Sequence, residues 1–494
     1  MRRALLGVLA AALLTGCQSG VDGTWHDAGR SPGGESDLER GRSAPVADRV
    51  YPEYGNPDID VLHYGLTLRW SPAERELSGT AVVTLRTTKP LDQIVLDFSP
   101  DLRVRKVAVD GQPASAVSRR RDLITPLPQP VAADHRVRLT VSYSGTPQAV
   151  PMPSTRGDFA EGVGMRVEPD GAIWTMQEPY GAFTWYPAND QPSDEALYDI
   201  SITVPDGWSA VASGEFLGRE RSADEATFRW GSAVPVGSYV TTLAIDRFTM
   251  HTDAVRIDTL HPDGAGEIPL TYWVPTEYDG YQLAAMRRSP EILTWLRKRF
   301  GPYPFPSAGA VAVDSTSAME TQMMVTMGGR IGRRLPPGQA EENYTEVLVH
   351  EYAHQWFGNA VSPTDWRDVW INEGFAMYAE LLWAVDQDLI GRDDYLRWLR
   401  ERDAQSRAEA GPPGRYDPRK FAEANIYVGP ALMLHEIRGK IGDAAFFRLC
   451  REWVRRHLNT NQDRESFTRF VNQHTGQDLT PVIDKWLDSA TTPR

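Results

Sequence analysis

Residues 347–358 read VLVHEYAHQWFG and are the most informative segment of this chain. It contains two histidines four positions apart, with a glutamate directly after the first. On an α-helix, positions i and i+4 lie on one face a single turn apart, so the imidazoles of His350 and His354 can reach one metal ion. Glu351 lies on a neighbouring part of that face, from which its carboxylate can reach a water at the metal. The stretch predicts a zinc site on a buried helix.

A third metal ligand is predicted downstream. A catalytic zinc takes three protein ligands and keeps one position open. The stretch WINEGFA, residues 370–376, begins a second helical segment, and Glu373 follows His354 with eighteen residues between them. A glutamate in an apolar, aromatic stretch is costly unless it is paired or bound to a metal. We therefore expect His350, His354 and Glu373 to hold one Zn²⁺ per chain, with Glu351 as the general base.

The hydrophobic pattern around the predicted site is helical. Leu283 to Phe300 has the pattern of an amphipathic helix closed by Gly301 and Pro302, and a strand-like stretch follows at Ala310 to Val313. Further helices are predicted over 341–359, 371–386, 393–408, 428–440, 443–458 and 464–474. The second half of the chain is therefore mainly helical with a small sheet.

The first half alternates with period two. Leu62, Tyr64, Leu66, Leu68 and Trp70 alternate with polar or small residues, and Pro and Gly turns separate this run from similar ones near 137–143 and 198–204. Such alternation is typical of antiparallel strands with one buried face. With 494 residues the chain is too long for one ordinary core, so we expect a multidomain protein.

Composition limits the classes of partner. The formal net charge of −14 disfavours a nucleic-acid partner. Two cysteines, Cys17 and Cys450, exclude a disulfide framework, and Cys450 lies in an apolar helical stretch that predicts a buried side chain.

The first residues have the pattern of an export signal. Arg2 and Arg3 precede an apolar run of eleven residues, Ala4 to Leu14, which is too short to span a bilayer. The sequence LTGC, residues 14–17, then resembles a bacterial lipobox, in which the cysteine receives the lipid. Lipidation of Cys17 would anchor an exported protein to the cell membrane on its extracytoplasmic face; the alternative is an ordinary signal peptide with a chance cysteine. Residues 18–46 are rich in Gly, Ser, Asp and Arg and predict a flexible tether.

The two metal motifs together resemble the aminopeptidase N family of gluzincin zinc metallopeptidases. The resemblance covers about residues 50 to 490. It implies an N-terminal antiparallel β-sandwich or saddle domain followed by a thermolysin-like, mainly helical α+β catalytic domain. The predicted boundaries are a lipoprotein signal peptide over 1–17, a tether over 18–46, the β domain over 47–250 and the peptidase domain over 251–494.

Two further carboxylates fall on family positions that bind a substrate's α-ammonium group. The family reads G-A-M-E-N where this chain has Ser317, Ala318, Met319, Glu320 and Thr321. The resemblance assigns Ala318 and Met319 to substrate binding and Glu320 to the amine, whereas spacing alone leaves a solvated edge-strand glutamate as an alternative. Glu178, in TMQEP at 175–179, falls on the second amine ligand, although it could also be a loop glutamate before a proline turn; Met176 replaces the family's usual Gln.

A catalytic tyrosine is also implied by the resemblance. Tyr427, in NIYVGPAL at 425–432, falls on the family residue whose phenol stabilises the oxyanion. The alternative is a tyrosine that packs at the start of a helix. Gly429 and Pro430 replace the family's usual basic residue and glycine.

The sequence therefore predicts a zinc aminopeptidase that removes N-terminal residues from peptides. Larger relatives continue into a C-terminal helical domain that covers the site, and we expect a more open site in this chain or one covered by another subunit. Two alternatives remain: a zinc endopeptidase with an open cleft, and a non-catalytic lipoprotein that binds peptides at the surface. The sequence does not indicate the oligomeric state.

Overall fold

The computed structural model describes residues 35–261, 266–278 and 280–494. The predicted signal peptide, its lipidation site Cys17 and most of the predicted tether lie outside these ranges. The described end of the tether begins with a short helix, α1 (Glu35–Leu38). The backbone N–H of Ser43 then donates to Asp60 Oδ1 at 3.1 Å, and that of Val46 donates to Ser193 Oγ at 3.0 Å. The end of the segment predicted to be a flexible tether is thus bound to the first domain.

The first half forms fifteen strands within the described residues. They are β1 (Ile59–Ser71), β2 (Glu76–Thr87), β3 (Leu91–Asp97), β4 (Leu102–Val109), β5 (Gln112–Ala114), β6 (Val117–Arg119), β7 (Asp122–Val131), β8 (Arg136–Gly145), β9 (Gly164–Val167), β10 (Ile173–Met176), β11 (Glu195–Pro205), β12 (Ser209–Ala212), β13 (Glu215–Arg221), β14 (Glu225–Gly237) and β15 (Leu243–Asp246).

These strands form three sheets. The largest has eight strands in the order β13-β14-β11-β1-β2-β8-β4-β5, and the others are β3-β7-β6 and β12-β15-β10-β9. The predicted alternation is confirmed in β1, where Tyr64, Leu66, Leu68 and Trp70 are buried. The pairs are antiparallel except β1 with β11, which run parallel because the chain returns to β1 only after the intervening strands.

The second half opens with a mixed sheet of five strands in the order β16-β17-β18-β20-β19. They are β16 (Phe248–Val255), β17 (Ile268–Pro275), β18 (Ala308–Val313), β19 (Ala318–Met319) and β20 (Val325–Gly328). The predicted boundary at 250 lies inside β16, all of which pairs with β17. A further parallel pair is formed by β21 (Val361–Pro363) and β22 (Thr460–Gln462).

Nine helices follow α1 in the described part of the chain. They are α2 (Tyr281–Met286), α3 (Ser289–Phe300), α4 (Pro337–Ala353), α5 (Trp370–Asp386), α6 (Arg392–Ala410), α7 (Asn425–Ile441), α8 (Asp443–His457), α9 (Arg464–Thr475) and α10 (Thr480–Asp488). The predicted succession of a β domain and a mainly helical α+β domain is therefore confirmed. No helix among the described residues is both long and apolar enough to cross a membrane.

Two predicted helices have different limits. The helix predicted over 283–300 is two helices, because Pro290, near the start of α3, has no N–H to continue the preceding turn. The helix predicted over 341–359 begins at Pro337 and ends at Ala353. Beyond it Phe357 has extended dihedral angles, and Gly358 has a φ of 124°, a conformation that favours glycine.

The two halves meet beside the predicted metal site. Tyr239, from the β domain, donates its hydroxyl to Gly358 O at 2.6 Å. Arg49 Nη2 lies 3.0 Å from Asp365 Oδ1 and 3.0 Å from Asp368 Oδ2, and Tyr51 donates to Pro418 O at 2.7 Å. These contacts hold the β domain against the segments around α4, α5 and α7.

Candidate metal centre and active site

Two helices bring the predicted metal ligands together. His350 lies in the last turn of α4, His354 directly follows that helix, and Glu373 lies in the first turn of α5. Glu373 Oε2 is 3.2 Å from His350 Nε2 and 3.4 Å from His354 Nε2. One donor atom from each residue lies within 4.8 Å of the other two. Two imidazoles and one carboxylate form a donor set that suits Zn²⁺.

The other nitrogens of both histidines are already held. His354 Nδ1 lies 3.0 Å from Phe357 O, and because a carbonyl only accepts, the Nδ1–H must donate. His350 Nδ1 lies 3.3 Å from Glu380 Oε2. These contacts leave both Nε2 atoms facing Glu373. Partners of this kind orient imidazoles that bind metals.

Glu351 lies beside the metal triad without being part of it. Its side chain is buried and lines the same cavity as His350, His354 and Glu373. Burial, together with the negative charges of Glu320 and Glu373, raises the pKa of Glu351 to about 8, although His350 and His354 oppose the shift. A carboxyl with a raised pKa in this position can both accept and return a proton.

Glu178 and Glu320 reach this cavity from the β domain and the mixed sheet. Glu178 follows β10, and Glu320 follows β19. The Oε1 atoms of both residues are buried and have no hydrogen-bond partner among the described residues. Burial raises the pKa of both carboxyls, and the charge of Glu320 adds to the effect at Glu178. An unpaired buried acceptor is costly, so both oxygens can accept from a cationic donor that enters the cavity.

The segment after the second histidine fixes the position of Glu320. Gln355 Nε2 donates to Glu320 O at 3.1 Å, and Asn359 Nδ2 donates to the same carbonyl at 2.7 Å. Gln355 Oε1 in turn accepts from the backbone N–H of Met323 at 2.9 Å. The segment after α4 and the segment after β19 are thereby joined directly, a contact that could not be predicted from the sequence.

The residues that depart from the family's pattern have partners of their own. Thr321 Oγ1 donates to Met324 O and lies 2.8 Å from Thr326 Oγ1, so it closes the turn after Glu320. Met319 places its sulfur 3.3 Å from the backbone nitrogen of Gln177, next to Glu178. Ser317, Ala318, Met319 and Met176 all line the cavity. Met176 presents an apolar side chain there.

Tyr427 lies over His350. Its ring is stacked on the imidazole at 27° with 5.9 Å between centroids, and it lines the same cavity. Burial raises the pKa of Tyr427 well above its usual value, with a further increase from Glu373, so the phenol keeps its proton. The guanidinium carbon of Arg156 lies 5.6 Å from the centroid of the Tyr427 ring. Arg156 Nη1 also donates to Ala422 O at 2.8 Å.

Gly429 and Pro430, which depart from the family's pattern, both lie in close contact with neighbouring residues. A Cβ on Gly429 would lie 2.6 Å from the guanidinium of Arg407, which forms a fully buried pair with Asp403. Pro430 packs against Gly374, where an added Cβ would lie 2.5 Å from the proline Cβ. Helices α5 and α7 therefore approach closely one residue after Glu373 and three residues after Tyr427.

The structure places all predicted residues of the centre on one cavity. Sequence reasoning missed several of their supports: Gln355, Asn359, Glu380 and Arg156. Glu380 could have been identified, since it follows Glu373 by seven positions on a helix and so shares its face. Arg156 lies in a loop of the β domain and carried no such signal.

Comparison with protein families gives two matches along this chain. The Peptidase M1 N-terminal domain matches residues 60–240, and the Peptidase family M1 domain matches residues 284–486. Among curated proteins, a probable M1 family aminopeptidase 2 of Encephalitozoon cuniculi is 24% identical over 377 residues. That match takes in 68% of this chain and 41% of the relative, so this chain spans less than half of that protein's length.

Solved structures match over a larger share of their length. An M1 zinc metallopeptidase from Deinococcus radiodurans is 29% identical, with a TM-score of 0.77, and the match covers 91% of this chain and 98% of that one. A variant of the zinc metallopeptidase from Deinococcus radiodurans, bound to a Tyr-Ser-Ala substrate, is 28% identical, with a TM-score of 0.76 over 91% and 99% of the two chains.

Proposed function

The chain belongs to peptidase family M1, and from that membership and the geometry of the centre we propose that it is a zinc-dependent aminopeptidase acting on peptides. The observation that carries the proposal is the pair of buried, unpartnered oxygens of Glu178 and Glu320 on the cavity that also holds the metal triad. A free N-terminal ammonium group bound by both carboxylates would bring the first peptide bond of a substrate over the metal ligands.

The proposed zinc ligands are His350, His354 and Glu373. Their donor atoms are two nitrogens and one oxygen, and both Nε2 atoms face the carboxylate because Glu380 and Phe357 O hold the Nδ1 atoms. Three protein ligands would leave one position for water and substrate. The residues present therefore fit a catalytic zinc.

The residues around the metal divide the chemistry of amide hydrolysis. A zinc ion bound there supplies a Lewis acid that polarises the scissile carbonyl and acidifies a water. Glu351 takes the proton of the attacking water and returns it to the leaving amine. Tyr427 donates its phenolic O–H to the oxyanion that develops on the substrate carbonyl. Glu178 and Glu320 hold the substrate amine throughout.

Removal of the general base should separate catalysis from metal binding. We expect Glu351→Gln to lower kcat/KM on an aminoacyl reporter by at least about 10²-fold, because the amide cannot take the proton of the attacking water. The variant should retain its zinc, measured by elemental analysis, since Glu351 is not a proposed ligand. Activity close to that of the parent protein would contradict the role of Glu351 as the general base.

The exopeptidase assignment is tested by blocking the substrate amine. A reporter with a free N-terminus should be cleaved, whereas its N-acetylated form should not, because Glu178 and Glu320 lose their cationic partner. Cleavage of a free-amine reporter should stop on chelation and return on addition of zinc. Equal rates on the free and acetylated forms would indicate the endopeptidase alternative.

We propose further that the protein is exported and anchored by a lipid on Cys17. The support is the sequence alone: Arg2 and Arg3, the short apolar run to Leu14, and the small residues before Cys17. Residues 18–34 would then connect the anchor to the folded domains on the extracytoplasmic face.

The anchor proposal is tested in a bacterial host by labelling with a fatty-acid analogue and by cell fractionation. The parent chain should carry the label and remain with the membrane, and Cys17→Ser should lose both properties. The matched control is Cys450→Ser, which removes the other cysteine, one that is buried in α8. Equal labelling of the parent and Cys17→Ser would contradict the proposal.

A further inference from the structure

Part of the wall of the cavity at the metal centre is an apolar region made of large apolar side chains. These side chains come from the loop before β9, from β10 and from β19. They are Met152, Phe159, Val163, Trp174, Met176 and Met319. Trp174 donates its indole N–H to Glu168 Oε1 at 2.9 Å, so the ring's only polar atom already has a partner. This region is therefore suited to an apolar side chain.

Two carboxylates, Asp158 and Glu161, also line the cavity, but each is held by an arginine. Arg156 Nε lies 3.1 Å from Asp158 Oδ1, and its Nη2 lies 2.5 Å from Oδ2. Glu161 Oε1 is paired with Arg330, and Glu161 Oε2 accepts from Ser315 Oγ at 2.9 Å. Arg330 is not among the described residues that line this cavity, and Arg156 lines the adjoining pocket beside Glu351 and Tyr427. Both negative charges are thus compensated from outside it.

Arg330 is itself fixed by a second acid. Its Nε lies 2.9 Å from Asp314 Oδ1 and its Nη2 donates to Asp314 O at 3.0 Å. Tyr278 donates its hydroxyl to the same Asp314 oxygen at 3.0 Å. The guanidinium therefore has little freedom to leave Glu161 when a cationic substrate arrives.

We propose that this region binds the side chain of the substrate's N-terminal residue, that it selects a large apolar one, and that Arg330 determines this preference by compensating Glu161. The proposal rests on the aminopeptidase function above. A substrate arginine or lysine would find no free carboxylate beyond the two that hold the amine. A substrate glutamate would lie beside the carboxylates of Glu178 and Glu320, and the arginines nearest the cavity are already paired with Asp158 and Glu161.

The first test is the relative kcat/KM of the full chain on aminoacyl reporters that carry Leu, Met, Phe, Ala, Arg or Glu. The kcat/KM on the Leu, Met and Phe reporters should exceed that on the Ala reporter by at least about tenfold, since one methylene group in an apolar pocket already changes kcat/KM to that extent. It should also exceed that on the Arg and Glu reporters. A rate on Arg or Glu equal to that on Leu would overturn the proposal.

The second test changes the charge balance. Arg330→Met removes the charge that compensates Glu161, so the ratio of the Arg rate to the Leu rate should rise by about tenfold or more. The double variant Arg330→Met with Glu161→Gln should return the ratio to the parent value. Arg256→Met is the matched control, because it breaks an exposed pair with Glu267 at 2.9 Å without touching the cavity. An unchanged ratio in Arg330→Met would contradict the assignment.

The single variant Glu161→Gln provides an independent result if Arg330→Met does not fold. It leaves Arg330 without one carboxylate partner, so the ratio of the Glu rate to the Leu rate should rise, and an unchanged ratio would overturn the role of this pair. A general loss of structure would lower the rates on all reporters together and leave their ratios unchanged. A change in the ratio of two rates therefore indicates that Arg330 and Glu161 act on side-chain preference. Absence of activity on every reporter would contradict the aminopeptidase function itself rather than the preference.

Discussion

Glu380 supports His350 without facing the metal position. Its Oε2 lies 3.3 Å from His350 Nδ1, and its Oε1 accepts from Tyr395 at 3.1 Å. A carboxylate behind a ligating imidazole fixes the ring and increases the basicity of the other nitrogen. Removing the Glu380 carboxylate should therefore lower the affinity for the metal more than it lowers the rate of the chemical step.

We expect Glu380→Gln to weaken zinc binding by about 10-fold or more. The measurement is a titration of metal-stripped protein in competition with a chromophoric chelator. Glu401→Gln is the control, because Glu401 is an exposed residue of α6 and should leave the affinity unchanged. An affinity of Glu380→Gln equal to that of the parent would show that Glu380 does not support the metal.

Tyr427 should act in the transition state rather than in binding. Replacement by Phe keeps the ring stacked on His350 but removes the O–H, so kcat should fall by about 10²–10³-fold while KM changes little. The matched control is Tyr281→Phe, which removes a hydroxyl that donates to Ile331 O at 2.7 Å elsewhere in the domain. Steady-state kinetics on one free-amine reporter measures both variants. A rise in KM with kcat unchanged would assign Tyr427 to substrate binding alone.

The roles of residues that lie in short motifs could be predicted from the sequence. His350 and His354 share a helix face by their spacing, and Glu373 is conspicuous as an acid in an apolar stretch. The pairing of Glu161 with Arg330 could not be predicted in this way, because the two residues lie 169 positions apart and each alone resembles a solvated surface charge. The compensation of the Glu161 charge by Arg330 is therefore evident only from the three-dimensional structure.

At the scale of elements, the approach of α5 to α7 brings Glu373 and Tyr427 to the same cavity. Gly374 permits it, since a Cβ there would lie 2.5 Å from that of Pro430. The sequence predicted both helices to within a few residues, because their apolar faces have helical spacing. It did not predict their contact, since a glycine inside a helix and a proline inside another each weaken a helix when considered alone.

Gly374→Ala should therefore destabilise the catalytic domain by about 1–3 kcal/mol, because the added methyl group overpacks a rigid contact. Gly439→Ala on α7 is the matched control. An added Cβ there meets no atom within 4 Å, so the same substitution should stabilise by about 0.5–1 kcal/mol through helix propensity. Thermal or denaturant unfolding of both variants gives the comparison. A Gly374→Ala protein as stable as the parent would mean that α5 and α7 do not approach this closely.

At the scale of the whole molecule, the β domain buries several acids near its junction with the catalytic domain. Asp97 Oδ2 accepts from the backbone N–H groups of Gly55 at 2.8 Å and Asp190 at 3.2 Å. Burial, together with the neighbouring charge of Asp190, raises the pKa of Asp97 to about 8. Burial also raises the pKa of Asp190, and that of Glu195 to about 7. The folded protein therefore binds protons that the unfolded chain releases.

The sign of the pH dependence follows from this difference. The pKa of an aspartate in an unfolded chain is about 4. Between pH 4 and about pH 8, unfolding therefore releases the proton of Asp97, so raising the pH favours the unfolded state. The contribution of Asp97 is complete below the unfolded pKa and is lost as the pH rises through about 8. The free energy of unfolding should consequently be larger at pH 6 than at pH 8, with Asp97 accounting for about 2 kcal/mol of the difference.

Asp97→Asn should reduce this difference between pH 6 and pH 8, because the amide does not titrate. Denaturant unfolding at the two pH values measures it, and Asp92→Asn, an exposed substitution on the same strand β3, should leave the parent's difference unchanged. If Asp97→Asn and the parent lose the same free energy between pH 6 and pH 8, then Asp97 is already ionised at pH 6. In that case the hydrogen bonds from the backbone N–H groups of Gly55 and Asp190 would stabilise the negative charge of Asp97 in the folded protein.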